Sequence, residues 1–117
     1  LAPGVPVILF SKGAAAHLDA MSQTGAAALG VDWTTPLADA RKAVQGRVAL
    51  QGNLDPSSLF AGPDKVRELV AGVLADYGHG PGHIFNLGHG ILQHTPVESV
   101  AALVEAVRDL SPAYHRP

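Results

Sequence analysis

His89 stands between two glycines, Gly88 and Gly90, directly after a short apolar stretch of the sequence. That stretch begins with Ile84 and Phe85, and its composition predicts a buried strand that ends where the glycines let the backbone turn sharply. Enzymes built on parallel α/β sheets keep their working groups at such strand ends. An imidazole there can transfer a proton or bind an anion near neutral pH, or it can simply close the loop. The local sequence favours neither role over the other.

Polar side chains also follow each of the other predicted strands, although the strands themselves are almost wholly apolar. Because parallel strands share one carboxyl edge, a cation, several amides, a carboxylate and an imidazole are expected together on one rim. Loops are polar in most proteins, so this pattern indicates a site without identifying it. Besides His89, the rim residues are Ser11, Lys12, Trp33, Thr34, Gln51, Asn53, Asp55 and Asn86.

Several rim residues also have a purely structural interpretation. Asp55 precedes Pro56, and we expect its side chain to do no more than shape that turn. Lys12 fits a solvated side chain as well as an anion-binding one. Trp33 is expected to pack into the wall of the fold rather than to hold a ligand.

The histidines invite a metal site, since positions 79, 83, 89 and 94 lie close together. Their spacings place no pair on one helix face, and the chain has no cysteine, so we expect no metal to be bound. His17, His79 and His115 are expected at the surface. Glycine-rich nucleotide-binding, nucleophile-elbow and zinc-protease patterns are missing from the sequence.

Four alternations of strand and helix are predicted to position the rim. The third helix is the clearest, because apolar residues recur at helical spacing between Val66 and Tyr77. The fourth is expected to begin with a capping box of Thr95 and Glu98, and the tail from Ser111 is expected to be frayed. The predicted strands cover residues 5–10, 28–33, 48–52 and 84–87, and the helices cover 14–23, 37–44, 63–77 and 96–110.

This order of elements predicts an α/β fold with a parallel sheet. A small doubly wound sheet and part of a (β/α)₈ barrel both satisfy the pattern. A whole barrel takes about 250 residues, so four units in 117 residues would make half of one. Such a half would expose two strand edges and leave inward side chains without an opposite wall, and we expect the isolated chain to self-associate. The inward side chains are predicted near Val7, Leu9, Val31, Leu50 and Phe85.

The overall composition excludes several classes of protein. A formal charge of −2 and the lack of a basic run argue against partners that are nucleic acids or anionic membranes. No apolar run approaches the roughly 18 residues of a membrane span. The lack of cysteine fits a reducing cytosol. The chain begins with Leu1 rather than Met, which suggests a processed, truncated or excised chain.

Four segments of the chain, in order, resemble the carboxy-terminal part of the uroporphyrinogen decarboxylase family. They read PVILFSKGA, LGVDWTTPLADAR, VALQGNLDP and IFNLGHGI, and a TPVESVAALVEAV helix follows the last of them. The family fold is a (β/α)₈ barrel, so the resemblance implies that residues 1–117 are one segment that supplies its last four β/α units.

The resemblance also implies a reaction, the decarboxylation of the four acetate side chains of uroporphyrinogen III to give coproporphyrinogen III in haem biosynthesis. The family uses no metal or organic cofactor, and the intact enzyme is expected to be a cytoplasmic homodimer. The histidine of its NLGHG motif, here His89, lines the active-site cleft, and we assign it a catalytic and substrate-binding role. Lys12, Asn53 and Asn86 are further substrate-binding candidates.

The same resemblance implies that this chain is inactive alone. The aspartate that contacts the pyrrole N–H groups, the paired arginines and the cleft tyrosine all belong to the amino-terminal part of the family. Two alternatives stay open. One is a corrinoid or coenzyme M methyltransferase of the same superfamily, although those relatives tend to carry a cysteine where this chain has His89. The other is a non-catalytic α/β binding module.

Overall fold

A single parallel sheet of four strands forms the centre of the computed structural model, which describes residues 4–11, 15–88 and 90–115. Its order, β1-β2-β3-β4, follows the sequence, so each strand pairs with its neighbours along the chain. The prediction of an α/β fold with a parallel sheet is confirmed. The strands are β1 (Ile8–Phe10), β2 (Ala28–Gly30), β3 (Ala49–Gln51) and β4 (His83–Ile84).

Helices separate the strands, and two of them have the bounds that the sequence predicts. The third helix begins with Pro63 at its first position, where a missing N–H costs no hydrogen bond, and ends before Gly78, whose φ is +91°. Short 3₁₀ helices cover Ala15–His17 and Pro56–Phe60. The α-helices are α1 (Leu18–Met21), α2 (Leu37–Val44), α3 (Pro63–Tyr77), α4 (Val97–Leu110) and α5 (Pro112–His115).

The helices form one layer on one face of the sheet. Helix α1 contacts α2, α2 contacts α3, and α3 contacts α4. A doubly wound sheet reverses its strand order and carries helices on both faces. A sequential order with neighbouring helices in contact is instead the arrangement of consecutive β/α units in a (β/α)₈ barrel.

One row of paired side chains faces this helix layer. Leu9, Leu29, Leu50 and His83 are partners across the four strands. Leu29 and Leu50 are fully buried, and they share a core cluster with side chains of α2. The row therefore anchors the sheet to its helices.

The alternate row faces away from the helices and defines what we call the open face. Phe10 and Ile84 are its ends, and they are 45% and 41% exposed. Ile8, on the same face, is 48% exposed. The predicted inward side chains at Leu9 and Leu50 were therefore wrong by one residue. β1 is wholly apolar and too short for an alternation of polar residues to fix which side faces the core, and the one polar residue of β3, Gln51, lies on the open face. Val31 and Phe85 also pack on the helix side.

Several element ends also differ from the prediction. β4 is shorter than predicted and its Ile84 is exposed; Leu87 only bridges to Leu54. The capping box was wrong, since the Thr95 hydroxyl donates to the Leu92 carbonyl (2.5 Å) and no side chain caps α4. Of the predicted frayed tail, Pro112–His115 forms α5, and residues 116–117 lie outside the described part. Of the predicted first helix, the described part forms only the 3₁₀ turn and α1.

A second core cluster packs α3 against α4. Its fully buried members include Val66, Val70 and Leu74, which lie four residues apart along one side of α3, and Ala106 of α4. Leu54, directly after β3, belongs to the same cluster. In the described part of the chain, no helix is long and apolar enough to cross a membrane.

Candidate active site

A cavity of about 560 Å³ opens beside the carboxyl ends of the strands. Phe10, Gly30, Gln51 and Asn86 contribute to its wall, each from the end of a strand or just beyond it. Ile91 and two apolar residues of α4 also line it. The described wall is mostly apolar with two amide side chains, which suits a largely apolar ligand that also bears polar groups.

No charged side chain is present among the described residues that line this cavity. Recognition of an anion here would therefore depend on other groups, such as the predicted cations Lys12 and His89. Both residues lie outside the described part of the chain, and their contacts stay predictions.

The described backbone before and after residue 89 nevertheless has defined contacts. The Leu54 N–H donates to the Asn86 carbonyl (3.1 Å), and the Gly88 N–H donates to the Leu54 carbonyl (2.8 Å). These two bonds tie the loop to the segment after β3. Gly90, on the other side of residue 89, lines the cavity.

Gly88 is buried against the neighbouring loop, in direct contact with the main chain of Trp33. A methyl group on Gly88 would overlap the main-chain nitrogen and Cα of Trp33. The glycine is thus required by close approach of two backbones, in addition to the freedom to turn that the sequence suggested.

Asn86 and Asn53, the two other predicted substrate-binding residues, have different surroundings. Asn86 is exposed at the cavity wall, and its Oδ1 accepts a hydrogen bond from the Leu87 N–H (2.9 Å). Asn53 is only 8% exposed, and its amide nitrogen donates to the carbonyl of Asp32 (3.0 Å) and to that of Thr35. Substrate binding by either residue stays a prediction, and the donor group of Asn53 is already engaged with the main chain.

Asp55 and Trp33 were expected to be structural. The Asp55 carboxylate accepts from the N–H and the hydroxyl of Ser57 (2.9 and 2.8 Å) and caps the 3₁₀ helix that follows, which confirms its role in the turn. The Trp33 side chain is 43% exposed, so its packing into a barrel wall stays a prediction.

A second cluster, which sequence reasoning missed, surrounds His83 on the helix side of the sheet. The His83 ring stacks on Tyr77 with 4.6 Å between ring centroids, and its Nε2 lies 2.8 Å from the Gly52 carbonyl, to which it donates. Its Nδ1 is buried without a partner in the described part. Burial lowers the pKa of His83, the bond to Gly52 raises it, and the nearby charge of His115 lowers it further, with a net downward shift.

The cluster also includes His115 of α5 and so connects α5 to the sheet. His115 Nδ1 donates to the Gly80 carbonyl (2.9 Å), and the His115 ring meets that of His83 edge-on at 5.6 Å. His115 was predicted to lie at the surface; it is half-buried, because α5 places one side of this ring in the cluster. Among the described residues, no three histidine, aspartate or glutamate side chains gather as a metal site would need.

Comparisons with known proteins cover nearly the whole chain. The family model described as uroporphyrinogen decarboxylase matches residues 1–110. The chain is 60% identical over 111 residues to the uroporphyrinogen decarboxylase of Erwinia tasmaniensis, an alignment covering 95% of this chain and 31% of that protein. It is 58% identical over 112 residues to the Shigella dysenteriae enzyme of the same name, covering 96% of this chain and 32% of that protein.

The chain thus spans about a third of the length of the curated relatives that it matches. Among solved structures, a methyltransferase from Methanosarcina mazei superposes with a TM-score of 0.78, covering 91% of this chain and 32% of that one. The two share 23% sequence identity, so this likeness concerns the fold.

Proposed function

We propose that this chain, which belongs to the uroporphyrinogen decarboxylase family, forms the carboxy-terminal half-barrel of an enzyme that decarboxylates uroporphyrinogen III to coproporphyrinogen III. The family match over residues 1–110, with relatives of that name at about 60% identity, is the observation that carries the proposal. Because the chain spans about a third of those relatives, the activity is proposed for the protein as a whole.

The open face and the cavity support this assignment. Phe10 lies both on the open face and in the cavity wall, so the two surfaces are continuous at the carboxyl end of β1. The remaining β/α units of a barrel would cover the open face and close the cavity into a cleft. A porphyrinogen presents apolar pyrrole rings and a periphery of carboxylates, which matches an apolar wall with polar groups at its rim.

The reaction sets three requirements for the complete cleft. A pyrrole ring carbon takes up a proton, the ring becomes a cation, and the bond to the departing carboxylate then breaks, so that its electron pair forms an exocyclic C=CH₂ bond and quenches the cation as CO₂ leaves. The CH₂ carbon then takes up a proton and the ring carbon loses the one it gained, which leaves a methyl group on the restored pyrrole. The enzyme must supply the proton, stabilise the transient cation, and bind the other carboxylates.

This chain meets the third requirement in part. We assign to His89 a charge-assisted hydrogen bond to a substrate carboxylate, with Lys12 as a second cation and Asn86 as a neutral donor. One lysine and one histidine cannot neutralise an octa-anionic substrate, so most of the charged groups must come from the rest of the barrel. The proposal includes no metal or cofactor and takes the complete enzyme to be a cytoplasmic homodimer.

A chimera tests the proposal. The 111 matching residues of the Erwinia tasmaniensis protein would be replaced by those of this chain, and porphyrinogen products would be separated by chromatography. We expect the chimera to retain kcat/KM within roughly tenfold of the parent, a change of about 1.4 kcal/mol in activation free energy. The 117-residue chain alone should be inactive. A folded chimera without turnover would refute the assignment, and turnover by the isolated chain would show that the catalytic groups lie within it.

A further inference from the structure

We infer that Asn53 is a positioning residue: it holds the loop that carries His89 by way of Trp33, without touching the substrate itself. The kinetic part of this inference rests on the proposed function, whereas the structural part rests on the contacts alone. Three consecutive contacts connect Asn53 to the loop.

The first contact joins the end of β3 to the turn after β2. The Asn53 amide nitrogen donates to the Asp32 carbonyl and to the Thr35 carbonyl, which lie on either side of Trp33 in sequence. Asn53 is 8% exposed and Thr35 is buried, so water has little access to replace these bonds. Loss of the amide would leave the Thr35 carbonyl without this partner in a largely dry place, a costly outcome that favours movement of the turn, whereas the Asp32 carbonyl would keep its bond from the Thr35 N–H (3.1 Å).

The second contact joins that turn to the loop after β4. The main chain of Trp33 lies directly against Gly88, with no room for even a methyl group between them. The position of Trp33 therefore sets the position of Gly88, the residue before His89. Close packing of two backbones transmits a displacement because neither can rotate away as a side chain would.

The third contact joins the loop after β4 directly to the residue that follows Asn53. Leu54, the residue after Asn53, donates to the Asn86 carbonyl and accepts from the Gly88 N–H. Asn53 and Leu54 together thus hold the loop from two directions, one through Trp33 and one directly. A side chain in this place is suited to fixing the position of Gly88 and so of the backbone that leads to residue 89.

A double-mutant cycle in the chimera tests the kinetic part. Asn53→Ala, His89→Asn and the double variant would be compared by kcat/KM. If Asn53 acts through His89, Asn53→Ala should lower kcat/KM about tenfold or more in the otherwise unsubstituted chimera and less than threefold in the His89→Asn chimera. The effects of two coupled substitutions on activation free energy are not additive. Equal losses in both backgrounds would overturn the inference.

Val44→Ala provides the matched control for lost stability. Val44 is 1% exposed in α2, and it lines a different cavity, near the amino-terminal ends of the strands. Asn53→Ala and Val44→Ala would be assayed at temperatures where both are equally folded. A comparable loss of kcat/KM in Val44→Ala would mean that Asn53 contributes stability alone and would also overturn the inference.

Trp33 gives a readout that needs no activity, because it is the one tryptophan in the 117 residues. In the isolated chain, Asn53→Ala should shift its fluorescence emission and change its quenching by acrylamide, and Gly88→Ala should do the same from the opposite side. Val44→Ala should leave both properties unchanged. Unaltered Trp33 fluorescence in both the Asn53 and Gly88 variants would overturn the structural part, even if the parent chimera had no turnover and the proposed function had failed.

Discussion

Replacing Gly88 by alanine should destabilise the chain far more than the small size of the change suggests. The new methyl group would overlap main-chain atoms of Trp33, and these atoms cannot move without the whole turn. Gly88 cannot easily move away from Trp33 either, because its N–H donates a hydrogen bond to the Leu54 carbonyl (2.8 Å). The strain must therefore be shared between two loops.

The expected magnitude follows from the cost of overpacking, which is about 1–3 kcal/mol, and the rigidity on both sides places Gly88→Ala at the upper end, about 2–3 kcal/mol. Unfolding entropy is about 2.1 cal/mol/K per residue, so a chain of 117 residues should lose about 4 °C in Tm per kcal/mol. The variant should then melt about 8–12 °C below the parent.

Calorimetry and urea unfolding at one protein concentration would measure the effect, with Gly90→Ala as the matched control. Among the described residues beyond its chain neighbours, no atom would lie within 4 Å of a Cβ on Gly90, so that variant should stay within about 0.5 kcal/mol of the parent. Equal stability of the Gly88 and Gly90 variants would refute the reasoning, since it would mean that Trp33 and Gly88 are not in contact.

Three further predictions concern other parts of the fold. Gly72→Ala, in the exposed middle of α3 where a Cβ meets nothing, should raise stability by about 0.5–1 kcal/mol, and a lower Tm would contradict the helix assignment. The isolated chain should self-associate at micromolar concentration through the open face around Ile8 and Phe10, which Phe10→Gln should weaken; sedimentation of the parent as a stable monomer would contradict this. Burial lowers the pKa of His83 below the ordinary 6.5, so a folded chain binds this proton less readily than an unfolded one. The contribution of neutral His83 to the free energy of unfolding should therefore be fully present above about pH 6.5 and decrease as the pH falls below that value. The decline is at most about 1.4 kcal/mol per pH unit for one proton, and His83→Gln should reduce it. Urea midpoints at pH 7.5 and 5.5 measure it, and an equal decrease in the unsubstituted chain and in the His83→Gln variant would refute the role of His83.

The sequence predicts the elements of this fold better than the directions of their side chains. The bounds of α3 follow from local features, the apolar stripe from Val66 to Tyr77 and a proline or glycine at each end, and α2 likewise begins directly after Pro36. The face of β1 does not follow from such features, because a strand of three apolar residues looks the same from either side.

The site shows the same division between local and tertiary information. The role of Asp55 was predictable, since its partner Ser57 is two residues away. The roles of Asn53 and His83 were not, because their partners Thr35 and Gly52 are distant in sequence and meet them only in the folded sheet. The sequence allowed the Thr95 hydroxyl either to form the predicted capping box with Glu98 or to donate to the Leu92 carbonyl. Only the folded loop shows that it makes the second bond.

The central claim is that His89 contacts the substrate of a decarboxylase, and His89→Asn in the chimera tests it most directly. Loss of one charge-assisted contact should cost about 1.5–3 kcal/mol, a decrease of roughly ten- to a hundredfold in kcat/KM, with Tm unchanged. His79→Asn, the same substitution at an exposed position near the opposite end of the sheet, should leave turnover unaltered. Equal kinetics in the two variants would contradict the account and reduce His89 to a residue that only closes its loop.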